Sequence, residues 1–163
     1  MVAVTRYGKT WIKVPETFRI NVTGKLPKGV YAKDIMLKVA SIIKSDQAIY
    51  KALEFRGDTI SSLSMAGRLT ITSMGVDVGA KVAIMETDEK TREFMKKFGR
   101  EADYREIRGD EDADYARVID IDASQLEPLV SKPHYVENVD LVRNCAGQKV
   151  NMVFIGSCTN GRA

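Results

Sequence analysis

The first third of the chain alternates between two hydrophobic periods. Residues 17–23 place an apolar side chain at every second position, which predicts a half-buried β-strand. Residues 32–45 repeat their apolar side chains at helical spacing, with lysines and an aspartate between them, and predict an amphipathic helix. Residues 48–56 alternate again and predict a second strand. Residues 1–12 predict no clear element.

The middle of the chain continues this order of elements. Residues 60–78 predict one helix, with a cap at Asp58 or Thr59 and a stop at Gly79. Residues 81–85 predict a short strand. A second helix is expected to begin at a cap on Thr87 or Asp88, run through Phe98 and end at Gly99.

Charged residues interrupt the pattern at residues 100–114, which indicates a solvated loop or a domain boundary. After it, residues 115–121 predict a strand, 124–133 an extended stretch, 139–146 a short helix and 150–155 a buried apolar strand. Because strands and helices alternate throughout, the predicted class is α/β.

A cysteine follows the last apolar run almost at once. The run ends at Gly156, Cys158 comes next but one, and Thr159 or Asn160 could cap a following helix. Backbone N–H groups at such a junction favour the thiolate, which is the form that binds soft metals and iron–sulfur clusters. By chemistry alone a small buried hydrophobic cysteine is the commoner case, so the signal needs support.

Composition narrows the class of protein. The 163 residues are 44% hydrophobic and 29% charged, as in an ordinary soluble globular protein. A net charge of +3, from 25 basic and 22 acidic residues, does not suggest a nucleic-acid or membrane partner. Two cysteines and no signal-peptide pattern fit a reducing, cytoplasmic setting. The single histidine, His134, excludes a site built from several histidines of this stretch.

The string from Gly156 to Arg162 resembles the first cluster-ligand motif of the aconitase superfamily. Its Gly-Arg ending is more similar to the large subunits of 3-isopropylmalate dehydratase and homoaconitase than to aconitase itself. Further matches occur in the family's order. They lie at residues 8–16, 32–37, 54–57, 63–70 and 109–115, followed by Glu127 and Pro128.

The resemblance implies a fold and a chemistry. It implies an aconitase-like three-layer α/β/α domain over residues 1–108 and the start of a second such domain over residues 109–163. Cys158 would be one of three ligands of a [4Fe-4S] cluster, with the other two downstream of Ala163. The activity implied is a hydro-lyase that isomerises 2- and 3-isopropylmalate in leucine biosynthesis. A separate small subunit would supply the base and most specificity contacts.

Two positions depart from the family pattern and mark candidate site residues. Ser73 stands where the family has an active-site asparagine, and Asp77 stands where a glutamate orients a catalytic histidine. Without the resemblance, Asp77 would be an ordinary surface carboxylate. Cys145 matches no family ligand and is expected in the core or at a partly buried surface, and His134 is expected at the surface or with its hydrogen bonds satisfied.

The resemblance also leaves alternatives open. The family's other catalytic motifs would lie upstream of Met1, so these residues alone are expected to be inactive. The substrate could be a homocitrate- or citrate-type tricarboxylate instead of a 2-alkylmalate-type dicarboxylate. A non-catalytic structural fragment, or an RNA-binding relative of aconitase, is the alternative from another class, and the weak positive charge argues against RNA.

Overall fold

A computed structural model describes residues 2–161, except for the side chains of Val2, Ala3 and Ser45. Within this part no helix has both the length and the apolar character needed to cross a membrane. The helices are α1 Val2–Tyr7, α2 Ala32–Gln47, α3 Asp58–Ser62, α4 Met65–Met74, α5 Glu89–Lys97 and α6 Ser157–Asn160. The strands are β1 Thr17–Thr23, β2 Ala52–Arg56, β3 Val82–Met85, β4 Arg117–Asp122, β5 Leu129–Ser131 and β6 Val139–Leu141.

Four strands form one parallel sheet in the order β3-β2-β1-β4. Parallel neighbours need crossover connections, and α2 connects β1 to β2 while α3 and α4 connect β2 to β3. Strands β5 and β6 pair antiparallel in a separate two-stranded sheet. The predicted α/β class is therefore confirmed.

The alternation in β1 places its apolar residues in the core, as predicted. Ile20 lies opposite Phe55 of β2 and Ile119 of β4 in the parallel register, and all three side chains are buried. The predicted helix α2 adds Ile35 and Val39 to the same hydrophobic core. This shared core fixes α2 and α4 relative to the sheet, and the candidate site is built on their ends.

The segment between α5 and β4 contacts the polar side of β2. Glu54 is buried, forms a salt bridge with Arg56, and accepts a hydrogen bond from the Tyr115 hydroxyl at 3.1 Å. Burial raises the pKa of Tyr115, and so does its bond to Glu54. Gly109 lies so close to Arg56 that an added Cβ would be 1.9 Å from its Nη2 atom. Parts of the predicted loop therefore pack against the sheet.

The division of the chain into residues 1–108 and 109–163 stays a prediction. Strand β4 comes from the second part and pairs with β1 from the first over six register positions, Phe18 to Thr23. The proposed boundary itself falls in the irregular segment between α5 and β4.

The single helix predicted over residues 60–78 is wrong in detail. The chain breaks at Leu63, whose ψ of 148° is extended, and α4 starts afresh after Ser64. The Ser64 side chain caps α4 by accepting a hydrogen bond from the Gly67 N–H at 3.2 Å. Gly79 ends the following 3₁₀ turn in a left-handed conformation, as predicted.

The strand predicted over residues 150–155 is also wrong. These residues have no strand partner within the described part of the chain, and Phe154 and Ile155 are 81% and 79% exposed. An apolar run becomes a buried strand only where a sheet edge accepts its backbone hydrogen bonds and both faces are covered.

Three smaller corrections concern local periods. Residues 139–146 form strand β6 and a 3₁₀ turn instead of a helix, because β6 pairs with β5. Residues 48–51 precede β2 as a turn, and Ile49 is exposed. Residues 2–7 form α1, which the sequence does not predict.

Asp88, one of the two predicted caps, is the N-cap of helix α5, and a buried arginine holds its carboxylate. Asp88 accepts a hydrogen bond from the Thr91 N–H at 3.2 Å. Arg68 of α4 binds both its carboxylate oxygens, with Nη1 2.8 Å from Oδ1, and donates to the Ser61 carbonyl. The hydrogen bond from Arg68 lowers the pKa of Asp88 from 3.8 to about 2.

We predict that this pair makes stability depend on acid pH. Because the folded pKa of Asp88 lies below its unfolded value, its ionised form stabilises the folded chain above about pH 4, and this contribution is lost as pH falls towards about 2. The variant Asp88→Asn keeps an N-cap but removes the charge. Urea unfolding from about pH 6 to about pH 2.5 should show that the free energy of unfolding of wild type exceeds that of the variant at the higher pH, and that this difference shrinks as the pH falls. A difference that stays constant over this range would contradict the prediction.

Candidate functional site

The cysteine turn, defined as residues 156–161, folds into the short helix α6. The Asn160 N–H donates to the Gly156 carbonyl at 3.3 Å and the Gly161 N–H to the Ser157 carbonyl at 2.8 Å. The predicted cap at Thr159 or Asn160 is therefore wrong. The chain already turns at Gly156, the N-cap, and at Ser157, whose φ is 70°. Arg162, the last residue of the motif, lies outside the described residues.

The cysteine turn is so tight that position 161 has room only for glycine. A Cβ added there would lie 2.6 Å from the Ser157 carbonyl oxygen. Backbone atoms cannot move aside as a flexible side chain can. The Gly in the sequence Cys-Thr-Asn-Gly therefore has a steric role that is independent of any ligand.

Cys158 presents its thiol at the surface of the cysteine turn. The residue is exposed, and the Ser157 hydroxyl lies 3.6 Å from its sulfur, within reach of a weak O–H···S hydrogen bond. Cys145 is partly buried, as predicted, and His134 is exposed, also as predicted. An exposed thiol with a neighbouring hydroxyl donor suits a metal ligand better than a core side chain.

Two hydroxyl groups of α4 contact the cysteine turn. Thr70 Oγ1 lies 2.6 Å from the Thr159 carbonyl oxygen, and Ser73 Oγ lies 3.5 Å from the Cys158 carbonyl oxygen. The two residues are three apart, so both project from one side of the helix. The structure thus brings together Ser73 and Cys158, which are 85 positions apart in sequence.

Asp77 lies on the wall of a cleft next to the cysteine turn. This cleft has a volume of about 630 Å³, and Thr159 and Asn160 line it together with Asp77. The side chain of Asp77 is exposed. The N-terminal part of α2, β5 and the residues around it form the remaining walls.

Asp34, which the helical pattern of residues 32–45 places on the outward face, is instead buried and fixes the opposite wall of the cleft. Asp34 accepts hydrogen bonds from the N–H groups of Tyr31 and Leu129, each at 2.8 Å. The first joins the N-cap N–H of α2 to the third residue of the helix, and the second attaches β5 to that helix. An acidic residue at the third position of a predicted helix is the sequence signal for the first role, whereas the contact with Leu129 spans 95 positions and has no local signal.

The residues present fit one ligand position of an iron–sulfur cluster. Such clusters are held by several cysteine thiolates, and Cys158 is an accessible thiol of the required type. Among residues 2–161 no group of three or more histidine, cysteine, aspartate or glutamate residues is arranged to hold a metal ion. This part of the chain therefore does not offer a complete set of ligands.

Comparison with known proteins identifies relatives along nearly the whole chain. A 3-isopropylmalate dehydratase large subunit 1 from Thermotoga maritima is 57% identical over 157 residues, and a 3-isopropylmalate dehydratase large subunit 2 from Archaeoglobus fulgidus is 51% identical over 155 residues. Each alignment covers 95% of this chain. A probable methanogen homoaconitase large subunit from Methanosarcina mazei is 46% identical over 162 residues, or 99% of this chain.

The chain spans 38%, 37% and 41% of the length of these three relatives. A family model, described as the aconitase family (aconitate hydratase), matches residues 1–145. The match covers the parallel sheet, α4 and Asp77, and the relatives extend the similarity along most of the rest of the chain. The chain belongs to the aconitase family.

Proposed function

We propose that this chain forms part of the large subunit of a 3-isopropylmalate dehydratase. That enzyme is a hydro-lyase that interconverts 2- and 3-isopropylmalate by removing and re-adding water, in leucine biosynthesis. The observation that carries the proposal is the identity of 57% and 51% to two large subunits of that name along 95% of the chain. The exposed Cys158 beside a cleft supports it.

Within this proposal Cys158 supplies one thiolate to a [4Fe-4S] cluster, and the other two ligands come from residues beyond Ala163. When bound, the cluster supplies an iron that acts as a Lewis acid towards the substrate hydroxyl and carboxylate. The Ser157 hydroxyl, 3.6 Å from the sulfur, would stabilise the thiolate form of Cys158.

Ser73 and Asp77 would shape the side of the cleft next to the cluster. The contact between Ser73 and the Cys158 carbonyl supports a role for Ser73 close to the ligand. Asp77 lines the cleft and carries a negative charge, so it could orient a histidine from another part of the protein. Aspartate is one methylene shorter than glutamate, and such a histidine would have to approach more closely.

The remaining expectations belong to the whole protein. A small subunit would complete the enzyme and contribute the base, and the substrate would be a small dicarboxylate of the 2-alkylmalate type. A cytoplasmic location and the absence of a nucleic-acid or membrane partner stay predictions. With no complete set of metal ligands among residues 2–161, we expect the 163-residue chain alone to be inactive.

A homoaconitase-type enzyme, acting on a tricarboxylate such as homocitrate, is the second candidate. The relative from Methanosarcina mazei that bears this name is 46% identical to the chain, so the same scaffold is compatible with it. The 3-isopropylmalate dehydratase relatives at 57% and 51% identity favour the first candidate.

A substrate comparison tests the proposal. The full-length protein that contains this chain would be reconstituted anaerobically with iron and sulfide and combined with its small subunit. We expect turnover of 3-isopropylmalate to exceed that of homocitrate and citrate. Preferred turnover of a tricarboxylate would establish the second candidate, and no turnover of any of the three would overturn the enzymatic assignment.

A further inference from the structure

Two carbonyl groups of the cysteine turn, those of Cys158 and Thr159, accept hydrogen bonds from outside the turn. The last four carbonyl groups of a helix accept no hydrogen bond from N–H groups of the same helix. Helix α6 is only four residues long, so this applies to all of it. The carbonyls of Gly156 and Ser157 are used within the turn, by the N–H groups of Asn160 and Gly161. Those of Cys158 and Thr159 come later and point to α4.

The Thr70 hydroxyl is the stronger of the two contacts from α4. It lies 2.6 Å from the Thr159 carbonyl oxygen, against 3.0 Å from the Ala66 carbonyl of its own helix. The hydroxyl has a single proton to donate, and the shorter distance favours donation to the Thr159 carbonyl. Thr70 is buried at 8% exposure, so water competes little for this hydrogen bond.

The segment that leads into the cysteine turn gives it little support. Residues 150–155 are exposed and have no strand partner among the described residues. Helix α4, by contrast, is fixed by the core through Ile71 and Met74. A hydrogen bond from this rigid helix therefore restricts the turn more than the chain before it does.

We propose that Thr70 is a positioning residue that holds the cysteine turn, and with it Cys158, against α4 through its hydrogen bond to the Thr159 carbonyl. The functional role of this contact, which is to present Cys158 to a cluster, rests on the proposed function. The geometric claim concerns residues of this chain alone. Ser73 is the weaker second anchor of the same turn, at 3.5 Å.

Amide hydrogen exchange in the 163-residue chain, followed by NMR, tests the geometric claim. In Thr70→Val, which keeps the shape of the side chain but removes its hydroxyl, the amides of Asn160 and Gly161 should exchange about five-fold faster. Thr70→Ser should restore the wild-type rate, because it keeps the hydroxyl. The amide of Val22 in the core serves as the internal reference for global unfolding.

Thr72→Val is the matched control on the same helix. Its hydroxyl donates to the Leu69 carbonyl at 3.2 Å, within α4, so its loss should leave exchange in the cysteine turn unchanged. If Thr70→Val does not fold, Thr70→Ala replaces it with the same expected result. Equal exchange at Asn160 and Gly161 in the Thr70 and Thr72 variants would overturn the proposal.

A second readout links the turn to the cluster without using activity. In the reconstituted full-length protein, iron release to a chelator should be faster for Thr70→Val than for Thr72→Val, and Thr70→Ser should reverse the effect. If the wild-type protein binds no cluster but amide exchange in the cysteine turn is faster in Thr70→Val, the proposed function fails while the positioning role stands. If the cluster forms and neither exchange nor iron release changes, the positioning role is wrong.

Discussion

Replacing Gly57 with alanine is expected to destabilise the fold by about 4 kcal/mol or more, a large part of the stability of an ordinary domain. Gly57 connects β2 to α3 with φ 111° and ψ 166°, a region of backbone conformation that is essentially restricted to glycine. A Cβ there would lie 2.1 Å from the Val22 carbonyl oxygen of β1. Strain and overlap with another strand's backbone therefore act together, and urea unfolding at neutral pH measures the loss.

Gly99→Ala is the matched control for this prediction. Gly99 also has a positive φ, 68°, but no atom lies within 4 Å of an added Cβ. The free energy of unfolding of this variant should therefore fall by only about 1 kcal/mol, which is the cost of placing alanine in a left-handed conformation. Losses of equal size at the two positions would contradict the close approach between β1 and the end of β2.

The parts of the fold that depend on local pattern could be predicted from the sequence. The alternation in β1 and the helical period in α2 identify elements whose buried faces match the structure. Asp88 as the cap of α5 and Gly79 as a helix stop follow from local backbone chemistry. In each case the determining interactions lie within a few residues along the chain.

The errors occur where distant residues decide the structure. The apolar run at residues 150–155 has the composition of a strand but no sheet partner among the described residues. The first part of residues 139–146 becomes β6 because β5 pairs with it. A hydrophobic period does not specify which edge, if any, is available to a segment.

The candidate site also combines features that the sequence predicts with features that depend on distant residues. The resemblance singles out Ser73 and Cys158, and the structure places the Ser73 hydroxyl near the Cys158 carbonyl. The role of Thr70 could not be predicted, because a buried threonine in a helix usually bonds to its own helix, and its bond to Thr159 spans 89 positions.

Cys158→Ser is expected to have the largest functional effect, because it removes the thiolate proposed to bind the cluster. Serine is close to cysteine in size, and the residue is exposed, so the fold and its thermal stability should not change. Cys145→Ser is the control, since it changes the other cysteine of the chain, which is partly buried and matches no family ligand.

The iron content of these two variants after anaerobic reconstitution of the full-length protein tests directly whether Cys158 is a cluster ligand, with the electron paramagnetic resonance spectrum of the dithionite-reduced protein recorded in parallel. We predict that Cys145→Ser retains the iron content and cluster spectrum of wild type, whereas Cys158→Ser loses both. A Cys158→Ser variant with wild-type iron content and an unchanged cluster spectrum would contradict the assignment of Cys158 as a ligand.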